Sequence, residues 1–418
     1  MLLFRVFSIP VRFFIALLIY FSWGPLAGGV VTAPVPEFSS PALIPYPSKV
    51  VRGAGEAGFR SVHVKVGSDV PGRDDLMKEI KDIFRTSGIQ GSLNSGGAAE
   101  GAMTWELFPD ARMKGEGYDL SVGLGKATVR AGSFGGFFNA LQTLRQLVFN
   151  REGEFAMPVV RISDKPAFVL RGIMLDVGRY YMSPALIKEV MRRLSRYKIN
   201  TLHLHLTDDP AWRLEVKKYP ALTDGAFHWK SRLPGRFYTQ AQLKDLTDYC
   251  ARLNIQVIPE IDMPGHSQPF ARAMKTGMQT EKGVSILKDV VDEAVSLFPG
   301  RFFHMGSDEA HISMKDFIPR MAEHIRGKGK EVVVWSPGDP HDKDSVLMCW
   351  GENEAGARMD KNMKRIDSNG FYIDWADSQS GVYQVFFQQP CEVPQGDDKA
   401  LGAIMPVWCD GNLSSERR

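Results

Sequence analysis

Thr201-Leu202-His203-Leu204-His205-Leu206-Thr207-Asp208-Asp209 reads as a β-strand whose closing residues are polar. Similar runs recur around it: Leu170–Asp176, Ile255–Glu260, Phe302–Gly306, Glu331–Trp335, Val346–Trp350, Gly370–Ile373 and Leu401–Trp408. Amphipathic segments separate them, and two carry helix-start chemistry. Ser183-Pro184 sets an N-cap before a proline in the first turn, and Thr239-x-x-Gln242 has the form of a capping box. Strands alternating with helices over residues 166–418 give the expectation of an α/β fold, a (β/α)8 TIM barrel.

Upstream, Ser61–Val66, Asp119–Val122 and Ala127–Arg130 have the two-residue period of half-buried strands. Phe137, Phe138, Leu141, Leu144, Leu147 and Val148 recur at helical spacing. Residues 30–165 are therefore expected to form a small α+β accessory domain, supportive in role, because they hold no compact cluster of ionisable residues. The first 29 residues differ. Arg5 and Arg12 precede the apolar run Phe13–Phe21, and small residues follow at Ala27, Gly28 and Gly29, which reads as an export signal leading to the periplasm or exterior. An uncleaved signal anchor is the alternative, and no second apolar run is long enough to span a bilayer.

Of the 418 residues, 44% are hydrophobic and 24% charged, with 51 Lys and Arg against 48 Asp and Glu. That is the mixture of a globular chain, and a net charge of +3 points to no nucleic-acid partner. Four scattered cysteines without a CxxC pair argue against a disulfide scaffold or zinc knuckle. In a TIM barrel the site lies at the C-terminal strand ends. Here those ends read His203 to Asp209, Glu260-Ile261-Asp262-Met263-Pro264-Gly265-His266 and His304-Met305-Gly306-Ser307-Asp308-Glu309, with Trp335, Trp350 and Trp408 closing three others. Carboxylates beside tryptophans suit sugars, whose C–H faces stack on indoles while their hydroxyls need polar partners. Yet Asp308 and Glu309 are adjacent, and side by side they do not flank a glycosidic bond as paired carboxylates about 5 Å or more apart would.

These motifs resemble glycoside hydrolase family 20, the β-N-acetylhexosaminidases, together with Arg171-Gly172-Ile173-Met174-Leu175-Asp176-Val177-Gly178-Arg179-Tyr180-Tyr181 and, upstream, Leu43–Pro47 and Glu116–Leu120. The resemblance implies exo-acting hydrolysis of terminal N-acetylhexosamine or chitooligosaccharide residues, without a metal or other cofactor. It also implies retention through an oxazolinium intermediate formed by the substrate's own acetamido oxygen. Glu309 then matches the general acid/base and Asp308 the partner of the acetamido N–H. Asp208 and His266 match a relay behind the acid. Arg179 matches the arginine on the sugar's 3- and 4-hydroxyls, and His205 is placed with the substrate-binding group. Trp335, Trp350 and Trp408 match the pocket walls, and Asp410 stands where the family usually has a glutamate.

Three departures carry weight. Ser307 replaces a glycine, at a cost of about a kcal/mol if its φ is positive. Pro210-Ala211 replaces Gln-Gly. In Tyr372–Asp377 the family's acetamido-binding tyrosine does not align uniquely: either Tyr372 is a core residue and another group donates, the favoured reading, or the loop differs, and Asp377 is a candidate hydroxyl contact. Two other readings stay open: a sugar-binding protein without turnover, and a metal-dependent hydrolase using His203, His205, His266 and Asp308. After Trp408 too few residues remain for an eighth helix, giving the expectation of a barrel that lacks its last helix.

Overall fold

The computed structural model describes residues 42–410 apart from 95–96, 152, 339–342, 351–360 and 374–387. The export segment, Asp377 and residues 411–418, on which the expectation of a missing helix rests, lie outside the described residues. So does the segment after Ile373 that would settle the tyrosine alignment.

Residues 49–164 form an α+β layer. Its elements are β1 (Lys49–Phe59), β2 (Ser61–Val66), α1 (Arg73–Ser87), β3 (Gln90–Leu93), β4 (Ala102–Pro109), β5 (Tyr118–Gly123), β6 (Lys126–Ala131), α2 (Phe134–Leu147), β7 (Phe149–Arg151) and β8 (Glu154–Asp164). The sheet runs β1-β8-β5-β6-β4-β2-β3, with β7 on β8. Phe137, Phe138, Leu141 and Leu144 of α2 are buried, as their spacing requires.

The second part begins with β9 (Leu170–Asp176), α3 (Pro184–Ser195), β10 (Thr201–His205) and the short hairpin of β11 (Thr207–Asp208) and β12 (Ala211–Trp212). It continues through α4 (Gln240–Ala251), β13 (Gln256–Glu260), α5 (Gln268–Met274), α6 (Glu281–Val295), β14 (Phe302–His304) and α7 (Phe317–Gly327). Strands β15 (Glu331–Ser336), β16 (Val346–Cys349), β17 (Arg365–Asp367) and β18 (Ala400–Val407) complete it. The parallel strands close in the order β9-β10-β13-β14-β15-β16-β17-β18 and back to β9, a TIM barrel. Both helix starts form as their sequences dictate. Ser183 Oγ accepts the Leu186 N–H at 3.2 Å, and Thr239 and Gln242 complete a reciprocal capping box.

The seventh strand differs from the expected Gly370–Ile373. It is Arg365–Asp367, three residues with a single apolar member. Arg365 and Asp367 are buried, so no hydrophobic alternation marks the segment. Gly370 takes a left-handed turn, with φ 70°, just past the strand.

Strand alternation sorts the barrel. Leu202, Leu204, Val257, Phe303, Val332 and Val334 belong to the large core that includes the helices, while Met174, Ile258, Phe302, Val333, Met348 and Ile404 fill a separate inner cluster. Above that inner cluster, pairing aligns Asp176 with His205, His205 with Glu260, and Glu260 with His304. Four ionisable side chains thus share one row across four neighbouring strands.

Acids from the α+β layer lock it to the barrel. Glu116 accepts from Arg171, Asn200 (3.2 Å), Asn254 (2.7 Å) and Asn139 (3.3 Å). Asp164 binds the buried Lys198 at 3.0 Å, and Glu79 and Asp82 of α1 meet Arg145 and Arg192. Removing Glu116 leaves the partly buried Arg171 and the asparagines short of an acceptor. Glu116→Ala should therefore destabilise the chain by about 2 kcal/mol. Urea unfolding against the parent protein reads this, and an unchanged midpoint would contradict the assigned role of this junction.

Candidate active site

Each strand of the shared row places its last inward side chain at the barrel mouth, where the backbone turns away. Glu260 is 0% exposed. Its Oε1 accepts the Trp335 indole N–H at 2.7 Å, and its Oε2 lies 2.6 Å from His205 Nδ1 and 2.9 Å from His203 Nε2. Burial opposes its charge, but the surrounding histidines hold its carboxyl well below the ordinary range. His203, one layer deeper, is pushed down by burial to about 4 and is neutral. His304 takes the Gly306 N–H on Nδ1 at 3.0 Å, which orients the turn that follows β14.

That turn carries the adjacent acids. Gly306, Ser307 and Glu309 have φ of 69°, 81° and 49°, so the chain leaves extended geometry where strand alternation would have split Asp308 from Glu309. A Cβ on Gly306 would lie 1.9 Å from Asp262 Oδ1, which makes glycine obligatory there. Ser307 therefore carries the left-handed strain expected of it.

A chain of contacts leads from the interior to Glu309. His205 Nε2 lies 2.8 Å from Asp208 Oδ2. Asp208 Oδ1 stands 3.5 Å from His266 Nδ1, and His266 Nε2 is 3.2 Å from Glu309 Oε2. The Glu309 side chain is 57% exposed, so the relay ends at the open side of the mouth. The hydrogen bond from His266 to Asp208, helped by the Asp262 charge, outweighs burial and raises the imidazole to about 10. Asp208 is lowered despite burial by His205, His266 and Arg179. Asp308 is pushed up to about 7 by burial and by the charges of Glu260 and Glu309. Asp262 also rises well above the ordinary carboxyl range through burial and the Glu260 and Asp308 charges.

Arg179 sits across the mouth. Its guanidinium meets Asp176 at 3.2 Å, Asp208 at 3.1 Å and Asp410 at 3.0 Å, and it lies 4.7 Å above the Trp408 ring. A guanidinium has five N–H donors, so these three contacts leave others for hydroxyls. Asp410 is held by more than this pair. The long loop after β12 sends Arg232 to the carbonyls of Cys409 (2.8 Å) and Asp410 (2.6 Å), and Cys409 N–H reaches Asp176 at 3.0 Å.

Trp335, Trp350 and Trp408 all reach the mouth, but they differ. Trp335 is 2% exposed and forms the floor under Trp408, with ring centres 5.7 Å apart. Trp350 and Trp408 are partly exposed.

Two expectations need correction. His205 does not face substrate: it is 1% exposed and both ring nitrogens are taken by carboxylates. Tyr372 is not in the core; Phe371 fills that place, and the partly exposed Tyr372 ring packs 6.2 Å from Trp408. The four donors of the metal-hydrolase reading do not converge. His203 groups with Glu260 and His304, and His205 with Asp208 and Asp262; in both groups ring nitrogens already face protein carboxylates. Residues missed as site members are Asp176, Glu260, Asp262 and His304. All lie inside the motifs quoted from the sequence, and the signal was their position at the last inward turn of a strand.

Known proteins match at the level of family and fold. Two family models align in succession: glycosyl hydrolase family 20, domain 2, over residues 40–165, and its catalytic domain over residues 168–282. A beta-hexosaminidase of Vibrio furnissii is 30% identical, with 70% of this chain and 61% of the relative covered. One of Akkermansia muciniphila is 33% identical, with 63% and 65% covered. The chain thus spans less than two thirds of either relative. Among solved structures, Streptomyces plicatus N-acetyl-beta-hexosaminidase in complex with Thio-NAglucal superposes with a TM-score of 0.76 at 26% identity, over 88% of this chain and 85% of that one. A Flavobacterium johnsoniae chitobiase gives 0.74 at 26% identity, over 88% and 65%.

The raised Asp308 carboxyl makes stability depend on pH. In the unfolded chain it ionises near 3.8, in the fold near 7. The protonated group thus favours the fold below the lower value, and that contribution is lost as pH rises through the upper one. Asp308→Asn should gain stability over the parent progressively between pH 4 and 7, by at most about 1.4 kcal/mol per unit. Thermal melts at pH 5 and pH 8 read this; an offset equal at both would sink the assignment.

Proposed function

Because the chain belongs to glycoside hydrolase family 20, we propose that it is an exo-acting β-N-acetylhexosaminidase that releases terminal N-acetylhexosamine with retention of configuration. The observation that carries this reading is the Asp208–His266–Glu309 chain, which ends on a half-exposed carboxyl beside a second acid that cannot serve as the opposing nucleophile. Glu309 donates a proton to the leaving oxygen and then takes one from water. The attacking group is the substrate's acetamido oxygen, so the role left for Asp308 is to accept the acetamido N–H.

Asp308 supports that role electrostatically. Its charge is costly in the free pocket, where burial and the neighbouring acids push it up to about 7. Positive charge developing on the oxazolinium compensates it, so the interaction strengthens toward the transition state. Arg179, fixed by its three carboxylates, presents its remaining donors to sugar hydroxyls. Trp408 and Trp350 offer faces to the ring, and Asp410 takes a hydroxyl that the longer glutamate would otherwise reach. The N-terminal run Phe13–Phe21, with Arg5 and Arg12 ahead of it, supports export to the periplasm or beyond.

Glu309→Gln keeps the shape of the side chain but has no acidic proton. Turnover of chitobiose should fall by about 10²- to 10⁴-fold with KM little changed; near-parental rates would sink the assignment. A matched substrate with a free 2-amine or 2-hydroxyl lacks the internal nucleophile and its effective molarity, so it should be cleaved far more slowly. Proton NMR in the first minutes should show the β-anomer, and an initial α-product would rule this mechanism out.

A further inference from the structure

One layer beneath the pocket, His205 is 1% exposed and stands between two carboxylates. Its Nδ1 is 2.6 Å from Glu260 Oε2 and its Nε2 is 2.8 Å from Asp208 Oδ2. Ionised carboxylates only accept, so each short contact requires a proton on the ring nitrogen, and a neutral imidazole carries only one. Neither acid is placed to supply the proton instead. Asp208 Oδ1 already accepts the Asp209 N–H at 2.6 Å and faces His266 Nδ1, and Oδ2 meets Arg179 Nη2 at 3.1 Å. Glu260 Oε1 is taken by the Trp335 indole, and its Oε2 also faces His203 Nε2 at 2.9 Å, a surrounding that holds the carboxyl ionised.

We infer that His205 is a standing imidazolium that joins buried Glu260 to Asp208, and that it acts as a positioning residue for the acid/base through Asp208 and His266. With this cation on Oδ2, Asp208 keeps its charge and turns Oδ1 toward His266. Without it, two buried anions lose their shared counter-ion and the orientation of His266 is no longer imposed. The charged and titratable groups around the ring are Asp176 and Arg179 from the end of β9 and His203 on its own strand. Glu260, Asp262 and His266 come from β13 and the loop after it, and His304 from β14. Burial works against the ring's charge, but Glu260, Asp208 and Asp176 outweigh it. The assignment of an effect on catalysis rests on Glu309 being the acid/base as proposed above.

Two measurements on the full chain test it. Histidine-labelled protein followed by nitrogen NMR should show a buried ring with both nitrogens protonated and no titration between pH 6 and 8. His205→Gln should delete that signal; if this variant does not fold, the signal should persist in His266→Gln, which separates it from His266. A His205 ring, assigned by its loss in His205→Gln, that carries one bare nitrogen overturns the inference.

In folded His205→Gln, kcat on chitobiose should fall by about 10²-fold, the low end of an acid/base contribution, with KM within about threefold. The loss should shrink for an aryl glycoside whose acidic phenol needs little protonation, and the limbs of the pH profile should move by about half a unit or more. Equal losses on both substrates with an unmoved profile would mean a packing role and overturn it. Should the parent chain cleave neither substrate, the glycosidase reading fails, while the NMR result still decides the charge of His205.

Discussion

A fully buried charge governs this barrel. Glu260 is inward-facing and fully buried, and stripping a carboxylate of water costs several kcal/mol unless hydrogen bonds and opposite charge replace it. Barrel geometry supplies the replacement. Its strands place His205 on one side of Glu260 and His304 on the other in the same register row, and Trp335 on the next strand turns its indole N–H inward. His205 and Trp335 each have one edge committed to Glu260, which fixes the direction of the rest of the ring, while His304 turns one nitrogen, Nδ1, to both Glu260 Oε1 (3.2 Å) and the Gly306 N–H (3.0 Å). His205 faces Asp208, His304 fixes the turn at Gly306, and the Trp335 ring becomes the floor under Trp408. The mouth of the pocket inherits its precision from this layer.

Much of this was legible in the sequence because it depends on local chemistry. The capped starts of α3 and α4 were readable from Ser183-Pro184 and Thr239-x-x-Gln242, and most barrel strands from apolar runs of the right length. Strand β17 was not. Three residues with buried Arg365 and Asp367 carry no period, and what holds them is pairing with β16 and β18, which lie far from them in the chain or across a loop. Among site residues, the acids and His266 stood in readable motifs. The role of His205 did not, since two histidines spaced to share a strand face look alike in sequence. Only depth in the barrel separates neutral His203 from His205, which holds two carboxylates.

The α+β layer shows the same limit. Read along the chain, Glu79, Asp82, Glu116 and Asp164 are scattered acids, so the domain seemed to lack any ionisable cluster. Folding gathers them at one face, where they meet Arg145, Arg171, Arg192 and Lys198. Its supportive character is thus electrostatic as well as steric. Glu116 reaches the start of β9 and residues Asn200 and Asn254, just ahead of β10 and β13, and so braces the end of the barrel opposite the pocket.

The clamp of Arg232 on the carbonyls of Cys409 and Asp410 has a consequence for synthesis on the ribosome. It joins residues 177 and 178 positions apart, and the Cys409 bond to Asp176 spans 233. As the chain emerges, the α+β layer and the first strands can gain structure while Arg179 still lacks Asp410 and Trp408. Contacts so remote in sequence form late because their loops cost the most entropy to close. A nascent chain therefore carries Arg179, and later Asp308 and Glu309, without a completed pocket mouth, and gains one only when β18 docks.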